Sequence, residues 1–103
     1  MEHKSLIENY FIAADSHDIK KTIKYFSTSA VVYDEGKEYH GHDEIEKWLK
    51  ETNAKYDTHY KFLELNQNTA RAQVSGTFAG SPIVLSSEFT IKNNQITKLR
   101  CGI

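Results

Sequence analysis

The sequence of 103 residues has few residues that crosslink or break a chain: one cysteine, one proline and five glycines. The lone Cys101 excludes an intrachain disulfide, so a reducing compartment is expected. The low content of proline and glycine excludes Pro-rich linkers and low-complexity segments. No apolar run approaches the roughly 20 residues of a transmembrane helix, and the first five residues show no signal-peptide core. We expect a single cytoplasmic domain over residues 1–103.

An excess of charge of either sign is also missing. Thirteen Lys and Arg residues stand against fourteen Asp and Glu residues, for a formal net charge of −1. Nucleic acid and anionic membranes select concentrated basic surfaces, so we expect neither as the main partner. A hydrophobic content of 39% and a charged content of 26% are typical of a globular protein with one core.

Helical patterns dominate the first half of the chain. One amphipathic helix is predicted by apolar side chains that recur every three to four residues. These side chains are Leu6, Ile7, Tyr10, Phe11 and Ala14. Ile19, Ile23 and Phe26 predict a second, shorter helix, with Asp18 as its N-cap. A third helix is expected from about His42, because acidic residues precede lysines in the order that the helix dipole favours.

Strand patterns fill the remainder. Residues 30–34 are short, β-branched and aromatic, and a turn at 35–37 leads to a short strand at about 38–40. The region from about Tyr56 to Ile103 predicts an antiparallel meander with a bulge or bend near Phe62. Turns are expected at 66–68, 79–82 and 93–94. The expected inward row contains Ala72, Val74, Phe78, Leu85, Phe89 and Leu99. The sequence therefore predicts an α+β fold, with three helices on a curved antiparallel sheet of about four to six strands.

Asp34 is the candidate functional residue that the pattern selects. By period-two alternation it shares a strand face with Ala30 and Val32. A carboxylate on an apolar face must be paired, reach water through a cleft or act chemically. One interpretation is a general base or ligand acceptor in an apolar pocket, where burial raises its pKa. The other is an aspartate at the end of the strand that caps the Glu35-Gly36 turn or pairs with Lys37.

Several segments together resemble a known superfamily. These are residues 7–14 followed by Asp18, residues 30–34, and residues 39–41 followed by Ile45. They resemble the superfamily of nuclear transport factor two and ketosteroid isomerase, particularly its small SnoaL-like (polyketide cyclase type) bacterial members. The resemblance implies one cone-shaped SnoaL-like domain over residues 1–103, with a pocket at the open end of the sheet. It also implies a homodimer, since such proteins commonly pair through the sheet.

The resemblance to ketosteroid isomerase implies roles for particular residues. Tyr10 falls where that enzyme has its oxyanion-stabilising tyrosine, and Asp34 falls where it has its general base. The second oxyanion donor in that enzyme is a protonated aspartic acid, whereas Ser87 stands at the matching position here. A serine hydroxyl still donates a hydrogen bond. The further side chains expected to contact a ligand are Trp48, Phe26, His40, Phe78 and Phe89.

More ordinary structural roles are open for the same residues. Tyr10 can be a core tyrosine that bonds a backbone carbonyl, and Ser87 can be satisfied locally. His40 and His42 with Asp34 lack a third ligand at recognisable spacing, so no metal is predicted. No glycine-rich phosphate loop or nucleotide fingerprint is present, so no cofactor is expected.

Two functions therefore remain. The first is binding of a small apolar or partly polar organic molecule, with proton transfer of the isomerase, cyclase or lyase type. The second is a non-catalytic ligand-binding or dimerisation module of the same fold.

Overall fold

The computed structural model describes residues 3–102. Its elements are α1 (Lys4–Asp15), α2 (Ile19–Ile23), β1 (Phe26–Asp34), β2 (Lys37–His40), α3 (Gly41–Tyr56), β3 (His59–Asn66), β4 (Thr69–Ser75), β5 (Ile83–Lys92) and β6 (Gln95–Arg100). Ile103, which was expected in the last strand, lies outside the described residues. Within this range, no helix has the length and apolar character needed to cross a membrane.

The strands form one six-stranded sheet in the order β2-β1-β6-β5-β4-β3. The antiparallel meander predicted from the sequence is confirmed for β3 to β6. The pairing of β1 with β6 is parallel, which differs from the expectation of an antiparallel sheet throughout. The parallel pair arises because α3 carries the chain to the far edge of the sheet. The four meander strands then alternate in direction until β6 arrives beside β1.

Local signals in the sequence account for the turns and one helix start. The Asp18 side chain accepts a hydrogen bond from the Lys21 backbone N–H at 3.1 Å, which confirms it as the N-cap of α2. Both central residues of the turns at 35–36 and 93–94 have positive φ, from 52° to 77°. Positive φ at both positions defines the two-residue turn whose twist matches a β-hairpin. Both predicted hairpins are therefore confirmed.

Three element boundaries differ from the sequence expectations. Phe26 begins β1 and does not end the second helix, because it pairs with Ile96 of β6 and both side chains are fully buried. Tyr56 ends α3 and does not begin β3, because Asp57 takes a left-handed conformation and its N–H bonds the Asn53 carbonyl at 2.8 Å. Phe78 lies beyond the end of β4.

The core lies between the helices and the inner face of the sheet, where α1 packs on β3 and α3 packs on β1. The Tyr10 ring meets Phe11, Phe26 and Phe89 edge to face, with centroids 5.3, 5.5 and 5.7 Å away. The predicted bulge near Phe62 is confirmed by a register shift between β3 and β4. Bulges bend a strand and increase its twist. The sheet curves around the helices as a result and stays open on one side.

Gly76 lies where the end of α3 meets the end of β4. A Cβ at this position would collide with the Tyr56 carbonyl oxygen and come within 3.1 Å of the Phe78 ring. The same carbonyl accepts the Thr77 N–H at 2.7 Å, so moving it away from the Cβ would weaken this hydrogen bond. We expect Gly76→Ala to lower the free energy of unfolding by about 1–3 kcal/mol in urea denaturation. The exposed Ala79→Ser in the following turn is the control, with an expected change within about 0.5 kcal/mol. Equal effects of the two substitutions would contradict the steric explanation.

Candidate functional site

A cavity of about 270 Å³ lies between α1, α3 and the inner face of the meander. Tyr10 and Phe11 of α1 form one wall, and Trp48 of α3 forms another. The sheet supplies mostly apolar side chains, among them Val74 and Phe89. An apolar cavity with a few polar side chains is the usual form of a small-molecule site.

Asp34 brings a carboxylate to this cavity. It ends β1, and Ala30 and Val32 on the same strand face are fully buried. The Trp48 indole Nε1 donates a hydrogen bond to Asp34 Oδ2 at 3.0 Å. Burial raises the pKa of Asp34, while the hydrogen bond from Trp48 and a backbone bond at Glu35 lower this pKa and the Glu35 charge raises it. The net direction is upward, which makes the carboxylate a better proton acceptor than an exposed aspartate.

The geometry bears on both interpretations of Asp34. Asp34 and Lys37 are backbone partners in the register of β1 with β2, and the Asp34 carboxylate interacts with the Glu35 backbone as a turn residue would. The same carboxylate lines the cavity and is held there by Trp48. The turn interaction therefore positions the carboxylate and does not remove it from the cavity.

Tyr10 places a hydroxyl in the same cavity. Its side chain is 5% exposed. Burial raises the pKa of Tyr10 well above its ordinary value, and the nearby Cys101, Tyr60 and Asp34 raise it further. The hydroxyl therefore stays protonated at neutral pH and acts as a hydrogen-bond donor.

Tyr60 and Cys101 are cavity residues to which sequence reasoning gave no functional role. Burial raises the pKa of both side chains. A hydrogen bond with Thr58 lowers the pKa of Tyr60 in part, and the charge of Asp34 raises the pKa of both residues. This electrostatic coupling places the two residues near Asp34, and both line the cavity. The pattern that could have identified Tyr60 is the alternation before the bulge, where Tyr60 and Phe62 occupy even-numbered positions on the same side of the strand. Its hydroxyl is a second donor near the carboxylate.

The other predicted ligand contacts divide into two groups. Trp48, Ser87, Phe78 and Phe89 line the cavity. Phe26 does not, because it begins β1 at the end opposite Asp34 and is fully buried under Tyr10.

His40 also lies away from the cavity lining, on the short strand β2. Its exposed imidazole Nε2 lies 3.1 Å from Glu38 Oε1. His42 is equally unavailable to the cavity, because its Nε2 bonds the Phe26 carbonyl at 2.9 Å. The geometry thus gives neither histidine a place beside Asp34.

The charge at the cavity is of one sign. Asp34 and Glu35 are its acidic lining residues, and no lysine, arginine or histidine of the described chain lines it. An anionic ligand would meet two carboxylates with no cation to compensate them. The cavity therefore favours a neutral or cationic molecule.

Known proteins were compared with the chain by sequence and by structure. No protein-family model and no curated protein matches it. A candidate polyketide cyclase of Sinorhizobium meliloti is 32% identical, with a TM-score of 0.86 over 94% of this chain and 93% of that chain.

More distant solved structures share the fold. A hypothetical protein of Catenulispora acidiphila with a ketosteroid isomerase-like fold, solved in complex with trimethylamine, is 16% identical. Its TM-score is 0.77 over 93% of this chain and 82% of that chain. An NTF2-like protein of unknown function from Cytophaga hutchinsonii is 13% identical, with a TM-score of 0.72 over 98% of this chain and 88% of that chain.

These comparisons define the class of the protein. The curved, open sheet packed on three helices is the cone-shaped fold of the NTF2-like superfamily. The chain belongs to the SnoaL-like, polyketide cyclase type of that superfamily.

The contact between Trp48 and Asp34 gives a first prediction for the site. Trp48→Phe removes the indole donor whose hydrogen bond lowers the pKa of Asp34, so we expect this pKa to rise. Carboxyl-carbon NMR titration of Asp34 measures the change. Tyr39→Phe is the matched control, since Tyr39 packs against Trp48 at a centroid distance of 6.0 Å and loses only a hydroxyl. An Asp34 pKa that falls in Trp48→Phe would contradict the assignment.

Asp34 also gives a prediction for stability. Because the native state raises the pKa of Asp34 above its ordinary value of 3.8, the native state binds this proton more tightly than the unfolded state does. The stability that the protonated form contributes is present below this ordinary value and is lost as pH rises through the native pKa. Asp34→Asn keeps a neutral acceptor for Trp48, so its stability relative to wild type should increase with pH over that window. Urea denaturation at a series of pH values tests this, and a relative stability that decreases with pH would contradict it.

Proposed function

We propose that the cavity binds a small neutral carbonyl compound and that Asp34 moves a proton on it as a general base. One observation carries the proposal: a carboxylate of raised pKa, held by Trp48 at 3.0 Å, faces an apolar cavity of about 270 Å³. This volume is near the small end of ligand sites, so the ligand is small. The two acidic lining residues favour a neutral substrate over a carboxylate or phosphate.

The proposed chemistry assigns different roles to the two oxygens of the carboxylate. Oδ2 accepts the Trp48 N–H, which fixes the plane of the carboxylate. Oδ1 is then the oxygen that takes a proton from the carbon next to the substrate carbonyl. The C–H electron pair moves into the carbonyl, which becomes an enolate. With a β,γ-unsaturated ketone the enolate is conjugated, and return of the proton from Asp34 to the γ carbon gives the isomer. With a second carbonyl in the substrate, attack of the enolate carbon on it closes a ring, and the alkoxide so formed takes the proton from Asp34.

The tyrosines supply the stabilisation that an enolate requires. Burial keeps the Tyr10 and Tyr60 hydroxyls protonated, so each donates a hydrogen bond where negative charge develops. Ser87 lines the same cavity with a third hydroxyl. A serine hydroxyl is a weaker donor than a carboxylic acid, so the expected rates are modest.

A second candidate function is the binding of a small organic amine without turnover. The Catenulispora acidiphila protein of this fold was solved in complex with trimethylamine. In the present cavity, Asp34 lies beside the aromatic side chains of Trp48, Tyr10 and Tyr60. A carboxylate beside aromatic faces is suited to an alkylammonium ion, through charge and cation–π attraction.

The outer face of the meander supports the expected homodimer of this domain. Arg71, Val84 and Glu88 are exposed on β4 and β5, and Val84 is 46% exposed. Mixed apolar and charged side chains on the outer face of a sheet suit a symmetric, hydrated interface.

Variants of the cavity residues test the proposed chemistry. On a panel of enolisable ketones and small lactones, we expect Asp34→Asn to lower kcat by about 10²-fold or more, because the proton acceptor is lost. We expect kcat/KM of wild type to rise with pH through the Asp34 pKa, since only the carboxylate accepts a proton. Tyr10→Phe should lower kcat by about 10²-fold with little change in KM. Ser87→Asp should raise the rate, and Tyr39→Phe is the control outside the cavity.

The same proteins distinguish the two candidate functions. Turnover that is equal in wild type and Asp34→Asn would overturn the proton-transfer proposal. Trimethylamine binding that Asp34→Asn abolishes, with no turnover of any ketone or lactone, would establish the amine-binding alternative in its place.

A further inference from the structure

A cluster of histidine and aspartate side chains lies on the surface, outside the cavity. His17 follows α1, Asp57 is the C-cap that follows α3, and His59 begins β3. Asp57 Oδ1 lies 3.9 Å from His17 Nδ1 and 3.7 Å from His59 Nε2. One ligand atom from each of the three residues falls within 4.8 Å of the other two. Three elements that are distant in sequence thus bring two imidazoles and one carboxylate together.

The hydrogen bonds behind this cluster determine which imidazole nitrogens have free lone pairs. His17 Nε2 bonds the Thr58 backbone carbonyl, and His59 Nδ1 lies 3.1 Å from Asp15 Oδ1. Both partners are oxygen atoms that only accept, so these two nitrogens carry the hydrogens. In the neutral rings the lone pairs are then on His17 Nδ1 and His59 Nε2, the two nitrogens nearest the Asp57 carboxylate. Asp15 is itself held, since it accepts the Tyr60 backbone N–H at 2.9 Å.

This arrangement is the one that protein metal sites use. A metal-binding histidine almost always donates its other N–H to a carboxylate or a backbone carbonyl, which fixes the tautomer and the ring. Both histidines here have such an acceptor.

We propose that His17 Nδ1, Asp57 Oδ1 and His59 Nε2 bind a divalent transition-metal ion, with zinc as the best match. Imidazole and carboxylate ligands suit zinc, and three protein ligands leave a fourth position for water. Ligand atoms around tetrahedral zinc are about 3.4 Å apart for bonds of about 2.1 Å. The distances to Asp57 Oδ1, 3.9 and 3.7 Å, exceed this separation by a few tenths of an ångström. The two imidazole nitrogens lie within 4.8 Å of each other and must also move closer.

Binding requires a local change of side-chain conformation. The two imidazoles now stack with centroids 4.9 Å apart and planes 15° from parallel, so their lone pairs do not yet converge. The side chains of His17, Asp57 and His59 are 27%, 67% and 52% exposed. The Asp57 carboxylate can therefore turn toward both rings, while the rings tilt within their hydrogen bonds to Thr58 and Asp15. The sequence predicted no metal site, because His17 is far along the chain from Asp57 and His59.

The ion would lie outside the cavity wall. Thr58 and Tyr60 line the cavity, and neighbouring residues of an extended chain point to opposite sides. His59 therefore faces away from the cavity. The proposed ion would join the ends of α1 and α3 to β3 and would stabilise the fold, with no part in the chemistry at Asp34.

Titration of the untagged chain with Zn²⁺, and separately with Co²⁺, tests this proposal. We expect calorimetry to give one ion per chain and Zn²⁺ to raise the Tm. Bound Co²⁺ should show the visible absorption of a four-coordinate ion with nitrogen and oxygen ligands. His17→Gln, His59→Gln and Asp57→Asn should each weaken binding at least tenfold. Asp57→Asn is the sharpest variant, because asparagine tolerates the left-handed φ of 49° and keeps the helix cap while losing the charge.

Further variants distinguish metal binding at this site from metal binding by other histidines of the chain. The exposed His40→Gln is the matched control and should bind the ion as wild type does. His3→Gln serves as the background, since a histidine near the N-terminus can capture metal by itself. Asp15→Asn should weaken binding about 10- to 100-fold through the orientation of His59. Absence of stoichiometric binding by wild type, or equal affinities of wild type and the three ligand variants, would overturn the proposal.

Discussion

A carboxylate in an apolar cavity is the constraint on which the arrangement of this protein depends. Taking Asp34 out of water is costly, and the indole of Trp48 is the side chain that compensates part of that cost with a hydrogen bond of 3.0 Å. This bond requires α3 to lie against β1 with Trp48 turned inward, where it is 6% exposed. The pKa of Asp34 remains raised in spite of the bond. The fold thus holds a carboxylate that is poorly solvated and firmly oriented.

The curvature of the sheet produces two separate environments from the same strands. Edge-to-face packing of Tyr10 on Phe26 and Phe89 holds α1 on the sheet, and α3 covers β1, so the cavity remains between them. At the start of β3, Tyr60 faces this cavity while His59 faces the surface. The alternation of an extended chain therefore separates the cavity from the cluster of His17, Asp57 and His59 by a single strand.

The sequence determined the features that depend on neighbouring residues. The apolar face of α1 follows from the helical period of its sequence, and the start of α2 follows from capping by the Asp18 side chain. The hairpin turn at 93–94 follows from the positive φ that asparagine tolerates. Alternation along residues 30–34 was sufficient to place Asp34 on a buried strand face. The resemblance to the superfamily matched Tyr10 to the same site. Each of these inferences uses a period or a motif within one segment, because the interactions that determine the feature are between residues only a few positions apart.

The tertiary structure alone decided which distant residues meet. The parallel pairing of β1 with β6 follows from the path of α3 across the sheet. The alternation within either strand does not determine which strand becomes its neighbour. The hydrogen bond from Trp48 to Asp34 joins two elements whose separate patterns show only a buried aromatic and an inward carboxylate. The cluster of His17, Asp57 and His59 forms because the ends of two helices converge on β3. Such contacts depend on packing of the whole chain, since burial of apolar faces sets the relative positions of elements and local preference does not.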